Sequence, residues 1–543
     1  MAQIPVLVAS AIILHLLWRL VRNYLVKSPL DVIPGPPSGS IIGGNMYQMF
    51  EHNSWDFHDH LILTYGPVAK IHSFFGAKWL NVYDPKALHS IFLKDQDNYY
   101  QGEEAVTSVR LSIGPGLLGT HGAQHKKQRK MLNPVFSGAQ MRNLTPLFYD
   151  VVGKLRVAIE TRVKEGPRDV DVVGWMGRTA LELVGQGGLG YSFDPLIAES
   201  RDEFAEAVKA FVPAFTDYPW IRFVTPYLSY FGPAWFRRFL LDLVPIKGIQ
   251  RLKQIVDTIQ RRSEEIYRAK KAAIEKGDID LLNAVGEGKD VMSVLLRENV
   301  KASIEDRLSD EEVLAQMGTF IVAGVDTTSN ALSRILHLLS QNQDIQDQLR
   351  AELHAAQEQY GKDIPYDELG ALPYLDAVCR ETLRLWTPVN LSSRQATTDT
   401  VLPLSQPLHC TDGTVLTEVP IPKGTMFFLN LRACNTWKEL WGEDAQEWKP
   451  ERWLKPLPKA VEDAHIPGIY ANLVTFISGG HSCIGFKFSQ LEMKVVLSTL
   501  VSNFKFELSD KPIFWNFAGI AYPTTSHESS RPEMTLKVSL ASR

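Results

Sequence analysis

Cysteine is scarce in this sequence. The 543 residues include only four cysteines, which are Cys379, Cys410, Cys434 and Cys483. Their spacing contains no CxxC pair and no pattern typical of zinc ligands, which argues against a structural zinc site. So few cysteines in so long a chain also argue against a disulfide framework and favour a reducing compartment.

The sequence also lacks linkers, repeats and a large net charge. No Gly/Ser-rich stretch, low-complexity tract or internal repeat divides the chain, which favours one large domain behind a short leader. A hydrophobic fraction of 45% argues against disorder. A net charge of -4 argues against a nucleic-acid partner attracted by bulk charge.

The amino terminus departs from this average composition. Residues 4–18 carry no charge, and Arg19, Arg22 and Lys27 follow them. The apolar run is marginal against the roughly 20 residues of a spanning helix. A cleaved signal peptide is the alternative, but such a peptide begins with positive charge and ends at a small-residue site, and neither is present. Because the charges follow the apolar run, the body of the protein should face the cytosol.

Three regions follow from this pattern. Prolines in "IPGPPSGS", residues 33–40, favour a stiff, extended backbone that would hold a folded body against a membrane. We therefore predict a membrane anchor over residues 1–27, a proline-rich hinge over 28–40 and a folded domain over 41–543.

The periodicity of apolar residues predicts a mainly α fold with a smaller β portion (α+β). The segments "VAKIHSF" and "KWLNVYD" have the composition of strands, and helical periodicity dominates from residue 144 to residue 385. After Pro388 short strands such as "TMFFLNL" alternate with turns, and "TLKVSL" near the end is also typical of a strand. A last long helix is expected over about residues 484–500.

A long helix is predicted from Ser309 onward, because Ser309 and Glu312 have the spacing of a capping box. Its centre, "AGVDTTSN", places polar residues and Gly324 between apolar stretches, where they cost free energy unless they find partners. One interpretation is a helix opened beside a ligand, where Asp326 and Thr327 relay protons or hold a water. The other is a bent helix whose threonine hydroxyls bond to the preceding turn.

A second polar cluster lies in "ETLRLW". Glu381 and Arg384 are three residues apart and therefore share one face of a helix. An exposed ion pair of this kind contributes little to stability. The apolar residues around it favour burial, and Arg452 in "WKPERW" offers a third charge, so the alternative is a buried structural lock.

A third cluster surrounds Cys483 in "FISGGHSCIGFKF". The cysteine precedes a predicted helix, whose free N–H groups should lower the pKa of the thiol, and neighbouring glycines leave room for a flat ligand. The candidate roles are a nucleophile with His481 as its base, a zinc ligand, the axial ligand of a haem iron and a buried structural cysteine. A zinc site lacks further ligands and a nucleophile lacks an oxyanion partner, whereas a haem needs only one thiolate.

These segments resemble those of the cytochrome P450 family. "FISGGHSCIG" resembles the haem-binding signature, and "AGVDTT" resembles the oxygen-activating helix motif. "ETLR" and "PERW" resemble the Glu-x-x-Arg and Pro-Glu-Arg segments of the family. The motifs occur in the family's order, the leader resembles a microsomal anchor, and "HSCIG" is similar to fungal members.

The resemblance implies a cytochrome P450 fold behind an N-terminal transmembrane helix, with haem b (iron protoporphyrin IX) as the cofactor. Cys483 would be the thiolate ligand of the haem iron, and Asp326 and Thr327 would deliver protons during dioxygen activation. The resemblance also implies a structural triad of Glu381, Arg384 and Arg452. It implies haem contacts at a further set of residues, Phe476, Gly479, His481, Gly485, His125, Arg129 and Arg394.

Two of these residues depart from the family pattern. The family usually has Arg at the position of His481 and Trp at the position of His125, and both usual residues bond to haem propionates. Histidine can donate the same hydrogen bond. Both histidines are therefore expected to contact the propionates.

The electrons are expected to come from a separate protein. Only about 40 residues follow the last predicted helix, too few for a flavin domain, and no G-x-G-x-x-G pattern is present. The resemblance implies a membrane-bound NADPH–haemoprotein reductase at the endoplasmic reticulum membrane. Its acidic face would meet a basic patch, unless that patch is simply a solvated face, formed by Lys126, Lys127, Arg129, Lys130 and Lys487.

The substrate is expected to be lipophilic. Residues 211–236 are dense in aromatic residues and prolines, and the resemblance places them over the substrate pocket, beside the membrane lipid. Further pocket candidates by family position are Val106, Phe320, Ala323, Val389, Leu391 and Phe517.

The implied reaction inserts one atom of dioxygen into a terpenoid, sterol-like or other secondary-metabolite intermediate. One alternative is a monooxygenase that oxidises xenobiotics or polycyclic aromatic compounds. A haem-thiolate isomerase or dehydratase would use no dioxygen, and the Asp326–Thr327 pair argues against it. A haem sensor without enzymatic activity is a further alternative. No nucleic-acid partner is expected.

Overall fold

A computed structural model of the chain describes residues 18, 21–194, 196, 203–216, 225, 227, 228, 230, 232–276, 288–470, 472–517 and 519–542. Most of the predicted anchor, residues 1–17, 19 and 20, lies outside this set, as does most of the aromatic segment 211–236. Within the described residues, no helix combines the length and the apolar character needed to cross a bilayer.

Helices make up most of the structure. The first part of the chain contains α1 (Met46–Phe50), α2 (Trp55–Tyr65), α3 (Pro85–His89), α4 (Glu103–Ile113), α5 (Gly122–Leu132), α6 (Gly138–Val163), α7 (Val172–Leu183), α8 (Glu203–Thr216), α9 (Ala234–Asp242) and α10 (Lys247–Lys276). The second part contains α11 (Val291–Lys301), α12 (Asp310–Gln341), α13 (Gln343–Tyr360), α14 (Tyr366–Ala371), α15 (Pro373–Leu385), α16 (Leu431–Asn435), α17 (Lys438–Trp441), α18 (Lys459–Asp463) and α19 (Phe486–Asn503).

The strands are short and form small sheets. They are β1 (Val68–His72), β2 (Lys78–Val82), β3 (Tyr99–Tyr100), β4 (Arg168–Asp171), β5 (Leu391–Ala396), β6 (Thr400–His409), β7 (Val415–Ile421), β8 (Met426–Asn430), β9 (Phe504–Leu508), β10 (Phe514–Asn516), β11 (Tyr522–Thr524) and β12 (Thr535–Leu540). A five-stranded sheet has the order β1-β2-β8-β5-β3, and a three-stranded sheet has the order β4-β12-β9. β6 pairs with β7, and β10 pairs with β11. The prediction of a mainly α fold with a smaller β portion is confirmed.

The local predictions agree with these bounds. β1 and β2 form where strand composition was noted and pair antiparallel, with Lys70 opposite Leu80. The capping box of α12 is complete, because the Ser309 hydroxyl accepts a hydrogen bond from the Glu312 N–H at 3.2 Å. The Glu312 carboxylate in turn accepts one from the Ser309 N–H at 2.9 Å. The last long helix begins two residues later than predicted, at Phe486, because Gly485 occupies its N-cap.

The core surrounds α12. This helix packs against α7 and α19, and its second half is buried on most sides by apolar residues such as Leu332, Ile335 and Leu339. Full burial of an aliphatic side chain contributes about 1.5–3 kcal/mol, so this helix is held by packing rather than by its own propensity. The centre of α12 is thereby held in a fixed position relative to α19 and the loop that precedes it.

The proline-rich segment 28–40 lies against the folded body. Leu30 and Ile33 are buried in the main core, and the Lys70 N–H of β1 donates a hydrogen bond to the Pro34 carbonyl at 2.8 Å. A β-carbon on Gly35 would lie 2.0 Å from the Lys70 carbonyl oxygen, so the backbones approach as closely as glycine allows. The segment is therefore docked onto β1 along part of its length.

Candidate functional site

The loop before α19 presents Cys483 in a constrained backbone. The Cys483 N–H donates a hydrogen bond to the Phe476 carbonyl at 2.9 Å, which closes the loop into a turn. Gly479 has φ +71, and a β-carbon there would lie 1.9 Å from the Phe92 carbonyl oxygen. Ile477 has φ 56, an uncommon conformation for a β-branched residue, which indicates local strain held by the surrounding packing. The loop is therefore held in one shape.

The side chain of Cys483 is accessible, in contrast to those of Cys379, Cys410 and Cys434. Protein atoms nevertheless surround it, and this burial raises the pKa of the Cys483 thiol, although the Gly485 N–H and the Arg129 guanidinium act in the opposite direction. The sequence-based expectation of a lowered pKa is thus wrong for the protein groups alone, because desolvation outweighs the helix terminus. An accessible thiol enclosed by protein faces an internal cavity, and binding to a metal cation would deprotonate it.

Arg129 holds the loop next to the cysteine. Its guanidinium donates to the Ser482 carbonyl and, at 2.9 Å, to the Ser482 hydroxyl, while its Nε donates to Asn133 at 3.0 Å. Gln96 supports the other side, since its side-chain oxygen accepts a hydrogen bond from the Gly480 N–H at 2.9 Å. The described contacts of Arg129 therefore position the loop.

Basic side chains from three elements converge beside this loop. The rings of His125 on α5 and His481 stack with centroids 4.2 Å apart. Burial, with Arg129 and Arg394 among the nearby charges, lowers the pKa of His125 to about 4. Burial and His125 itself lower the pKa of His481 to about 3. Arg394 on β5 is 2% exposed, and burial lowers its pKa to about 10.

The centre of α12 remains helical. The Thr327 hydroxyl donates to the Ala323 carbonyl at 2.6 Å, and the Asn330 side chain donates to the Asp326 carbonyl at 2.8 Å. Of the two interpretations of this segment, bonding to the preceding turn is the one observed. Ala323 is exposed although Ile321 and Val325 beside it in sequence are buried, so one face of α12 borders an internal cavity.

Asp326 lies in an apolar environment. Burial raises the pKa of its carboxyl to about 7, and the positive charge of Lys209 acts in the opposite direction. Lys209 belongs to α8, and its ammonium lies near the Gly174 carbonyl at 3.5 Å. The sequence analysis missed Lys209. A lysine within the apolar stretch "AEAVKAFV" is the signal that could have identified it.

A direct link connects α12 with the helix that follows the cysteine. The Thr328 hydroxyl donates a hydrogen bond to the Ser489 hydroxyl at 3.2 Å, across the contact of α12 with α19. Thr328 was not among the predicted site residues, since only its position in the "DTT" segment pointed to it. The link fixes the distance between the polar centre of α12 and the cysteine loop.

Glu381 and Arg384 form a fully buried ion pair on α15, with both side chains 0% exposed and 2.9 Å between their nearest nitrogen and oxygen. Arg452 joins them, with its Nε 3.3 Å from the Glu381 carboxylate. Arg384 also donates to the carbonyls of Asn435 and Ala445. The described geometry is that of the buried lock, and every carboxylate oxygen and guanidinium nitrogen that carries the charge has a partner.

This lock reaches the cysteine loop through Asn435. The Asn435 carbonyl accepts a hydrogen bond from Arg384, and its side-chain oxygen accepts one from the Val474 N–H at 3.0 Å. Its side-chain nitrogen donates to the Thr475 hydroxyl at 2.9 Å. Thr475 precedes Phe476, so the buried charges determine where the cysteine loop begins. Asn435 was missed in the sequence, where it carries no recognisable pattern.

The pocket candidates divide into two groups. Ala323, Val389 and Leu391 keep accessible surface. Val106, Phe320 and Phe517 are buried, with Phe320 against Phe136 at 5.5 Å between ring centroids and Phe517 stacked on His58 at 3.8 Å. The buried members support the pocket wall more than they offer contact surface in this arrangement.

The basic patch is partly neutralised. Lys126 pairs with Asp97 and Lys130 pairs with Asp306, both at 2.8 Å, and all four side chains are well exposed. Arg129 is directed to Ser482 instead of outward. The Lys487 side chain is exposed on the first turn of α19. The patch is thus a set of exposed, screened charges.

Comparison with known proteins bears on this arrangement. The sequence profile of the family described as Cytochrome P450 matches residues 34–527. The chain belongs to the cytochrome P450 family. It is 52% identical over 537 residues to a ganoderic acid synthetase of Ganoderma lucidum, covering 98% of each chain. It is 51% identical over 526 residues to cytochrome P450 monooxygenase 91 of Postia placenta, covering 97% of each chain.

A more distant cytochrome P450 monooxygenase, from Hericium erinaceus, is 34% identical over 541 residues and is covered to 97% of its length. Members of the family are haem-thiolate enzymes, so the cofactor is haem b, and the reaction requires dioxygen, a substrate and a redox partner. The resemblance of the motifs to this family is therefore confirmed, and the protein is a cytochrome P450 monooxygenase.

The residues at the cavity fit a haem. A haem offers an iron that takes one thiolate and two propionate groups that need positive or N–H partners. Cys483 is the accessible thiol, and His125, His481 and Arg394 lie together, with no ion pair to a carboxylate in the described part of the chain. A buried guanidinium such as that of Arg394 is costly without an anion. Propionates would supply the missing negative charge.

Proposed function

We propose that this cytochrome P450 is a membrane-anchored monooxygenase that oxidises a lipophilic terpenoid or sterol-like compound, with electrons from NADPH through a membrane-bound reductase. One observation carries the proposal. The accessible thiol of Cys483 and the polar centre of α12 border the same enclosed region, joined by the Thr328–Ser489 hydrogen bond. When bound, haem supplies reductive activation of dioxygen and insertion of one oxygen atom into substrate.

The side chains have separate roles in this proposal. Cys483 would hold the iron, and the Arg129 contacts to Ser482 would fix the direction of its sulfur. His125, His481 and Arg394 would bind the propionates, while Gly479 and Gly485 keep the loop compact and open respectively. Asp326, with a pKa raised to about 7 by burial, would hold and release a proton near neutral pH, and the Thr327 hydroxyl would pass it on.

The substrate class is supported by the relatives and by the surface. The 52% identical relative is named a ganoderic acid synthetase, a name that fits a terpenoid substrate. Accessible apolar residues Val389 and Leu391 border the cavity beside Ala323. An apolar wall with few polar groups suits a ligand that binds by burial of hydrocarbon surface.

Membrane attachment is supported by exposed apolar side chains near the start of the described chain. Val21, Leu25, Ile41 and Ile42 are exposed, and the Tyr24 hydroxyl donates to the Ile41 carbonyl, so these residues lie near one another. An exposed apolar patch of this kind favours contact with lipid. We assign residues 1–27 as the anchor, residues 28–40 as the connection, and residues 41–543 as the haem-thiolate monooxygenase domain at the cytosolic face of the endoplasmic reticulum.

The carbon monoxide difference spectrum of the reduced protein tests the ligand assignment. The wild type is expected to give the Soret shift typical of thiolate ligation, and Cys483→Ala is expected to lose it. Cys410→Ala is the matched control, because Cys410 is buried elsewhere with its sulfur 4.0 Å from the Leu408 carbonyl oxygen. A thiolate-type spectrum retained by Cys483→Ala would overturn the assignment.

The substrate class needs a separate measurement. Triterpenoids, sterols and polycyclic aromatic compounds are compared by the spin-state shift that they induce and by products formed with reductase and NADPH. The proposal expects product from the terpenoid or sterol group. Turnover of polycyclic aromatic compounds alone would favour the xenobiotic alternative, and a spin-state shift without any NADPH-dependent product would favour a haem sensor.

A further inference from the structure

Arg334 is a buried arginine two turns beyond Thr327 on α12. Its side chain is 6% exposed, and its guanidinium carbon lies 3.5 Å from the ring centroid of Trp515 and 4.2 Å from that of Trp386. Both distances are well inside the range of cation–π contact. Trp386 follows α15 directly and Trp515 lies on β10, so one side chain of α12 bridges two separate segments.

Aromatic faces are the main compensation for this charge. Its Nε is buried without a hydrogen bond, and no carboxylate forms an ion pair with it in the described part of the chain. Burial lowers the pKa of Arg334 well below its usual value, with the charge of Arg432 as a smaller cause. A planar guanidinium stacks on indole rings and is more weakly hydrated than an ammonium, so an arginine is better suited than a lysine to this place.

The contact extends into a network of rings. Trp515 donates from Nε1 to the His337 Nδ1 at 3.1 Å, one turn along α12 from Arg334. Trp55 on α2 donates from Nε1 to the Trp515 carbonyl at 2.7 Å, and its ring meets Trp386 edge-on at 5.7 Å. Arg334, His337, Trp55, Trp386 and Trp515 thus form one unit, which we call the Arg334–tryptophan cluster.

This cluster lies directly behind two stretches of the proposed pocket wall. Val389 and Leu391 follow Trp386 in the chain, and Phe517 follows Trp515 by two residues. Phe517 also packs edge-on against Trp55, with ring centroids 4.9 Å apart. The Ala521 N–H donates to the Pro388 carbonyl at 2.9 Å, which ties the two stretches together beyond the rings.

We propose that Arg334 is a positioning residue that sets the separation between residues 386–391 and residues 515–517, and thereby determines how large a lipophilic ligand the cavity admits. This proposal rests on the proposed function, because it concerns the wall of the same substrate cavity. Arg334 itself does not touch the substrate in this scheme. It acts through Trp386 and Trp515, which carry the two wall stretches.

Arg432 is the nearby residue that could be confused with this role. Its guanidinium lies 5.8 Å from the Trp386 ring centroid and 5.2 Å from that of Trp55. It differs because Asp59 pairs with it at 2.6 Å, so its charge has an ordinary partner and its ring contacts are longer. Arg334 has the shorter ring contacts and no such carboxylate, which makes it the residue on which the spacing depends.

Two probes of different size test the proposal on the full haem-loaded protein. Imidazole binds haem iron through one nitrogen and is too small to reach the walls, whereas clotrimazole adds a bulky apolar group to the same ligating ring. Their dissociation constants are measured by titration of the Soret band. The variants are Arg334→Met, which removes the charge and plane, and Arg334→Lys, which keeps the charge alone.

Both variants are expected to weaken clotrimazole binding about tenfold while imidazole binding stays within about twofold. Arg162→Met is the matched control, since its guanidinium lies 4.7 Å from the Trp175 ring centroid, in a contact between α6 and α7. This control is expected to leave both constants unchanged. Circular dichroism and the carbon monoxide difference spectrum establish that each variant is folded and carries thiolate-ligated haem.

Equal changes for the two probes, or no change for either in a folded variant, would overturn the role of Arg334. Wild-type behaviour of Arg334→Lys would also overturn it, because the charge alone would then suffice. Failure of the wild type to bind imidazole or to give the thiolate spectrum would instead contradict the proposed function. If Arg334→Met fails to fold, Arg334→Lys and the conservative Trp386→Phe, with one of the two indoles replaced, decide the question by the same ratio of constants.

Discussion

Asp326 and Thr327 are neighbours in sequence with different surroundings. Burial raises the pKa of the Asp326 carboxyl to about 7, whereas the Thr327 hydroxyl is accessible and donates to the Ala323 carbonyl. An acid that exchanges its proton near neutral pH, followed by a hydroxyl that can both accept and donate, is a suitable pair for proton delivery. Each of the two residues therefore makes a separate prediction.

Replacing Thr327 by alanine is expected to uncouple the reaction. NADPH consumption should continue, while product per NADPH falls about tenfold and hydrogen peroxide rises, because the last donor in the relay is missing. Thr319→Ala is the control, since the Thr319 hydroxyl makes the same kind of bond, to the Ala315 carbonyl at 3.0 Å, two turns earlier. Unchanged coupling in Thr327→Ala would contradict the relay.

The pKa of Asp326 predicts a pH dependence of coupling. The protonated form is the donor, so product per NADPH should fall as the pH rises through about 7. Removing the positive charge of Lys209, which lowers this pKa, should raise it further. In Lys209→Met the midpoint of the coupling profile is therefore expected at higher pH than in wild type. A midpoint that moves to lower pH would exclude an electrostatic role for Lys209.

Individual side chains were the least predictable part of the site. Sequence motifs indicated Cys483, Asp326, Glu381 and Arg384, because each lies in a short pattern with a chemical reason. The environment of each residue was not visible, so the pKa of the Cys483 thiol was expected to fall and instead rises with burial. Desolvation depends on residues distant in sequence, which a local pattern does not contain.

At the scale of elements, the cysteine loop and the helix after it depend on two glycines in different ways. Gly479 has a positive φ and no room for a β-carbon, while Gly485 has nothing within 4 Å of that position. Gly479→Ala is expected to distort the loop and to reduce haem occupancy several-fold. Gly485→Ala is expected to retain haem in the absence of other contacts. Haem absorbance per protein compares the two, and equal retention would show that the loop tolerates the distortion.

The buried lock between α15 and Arg452 predicts a large effect on stability. Glu381→Gln keeps the shape of the side chain but leaves two guanidinium groups without their carboxylate, which should cost about 3–5 kcal/mol. We also expect loss of haem, because Asn435 connects the lock to the cysteine loop. Unfolding in denaturant and haem content are the measurements.

Asp367→Asn is the control for this lock. Asp367 pairs with Arg142 at 2.6 Å, but both side chains are more than half exposed, so no measurable change in stability is expected. If Glu381→Gln were as stable and as haem-loaded as this control, the buried charges would have no structural role.

Elements with strong local signals were predicted well. The capping box at Ser309 and Glu312 marked the start of α12, and alternating composition marked β1 and β2. The order of strands in the five-stranded sheet was not predictable, because β8 lies beside β2 although more than 300 residues separate them. Such pairing is decided by packing of the whole chain and leaves no mark in either strand alone.

At the scale of the whole molecule, the proposed membrane attachment has two parts. A protein lacking residues 1–17 should lose resistance to carbonate extraction but still bind phosphatidylcholine vesicles weakly through exposed residues such as Ile41 and Ile42. Adding Ile41→Ser and Ile42→Ser should reduce that residual binding roughly tenfold. Co-sedimentation with vesicles is the measurement.

Ile304→Ser serves as the control for this binding. Ile304 is 90% exposed, in the segment between α11 and α12, and it has no connection with the amino-terminal patch. Its replacement should leave vesicle binding unchanged. Equal effects of the two changes would show that binding reflects general hydrophobicity and not a defined patch.

The docking of residues 28–40 onto β1 has a consequence for motion. A free linker would let the body rotate over all directions at a surface, and each productive orientation would then carry an entropic penalty. Here Leu30 and Ile33 are inserted in the core and Pro34 is hydrogen-bonded to Lys70, so the first residues leave the body in one fixed direction. The tilt of the catalytic body above a bilayer would then be decided when the chain folds, before it meets any substrate or reductase.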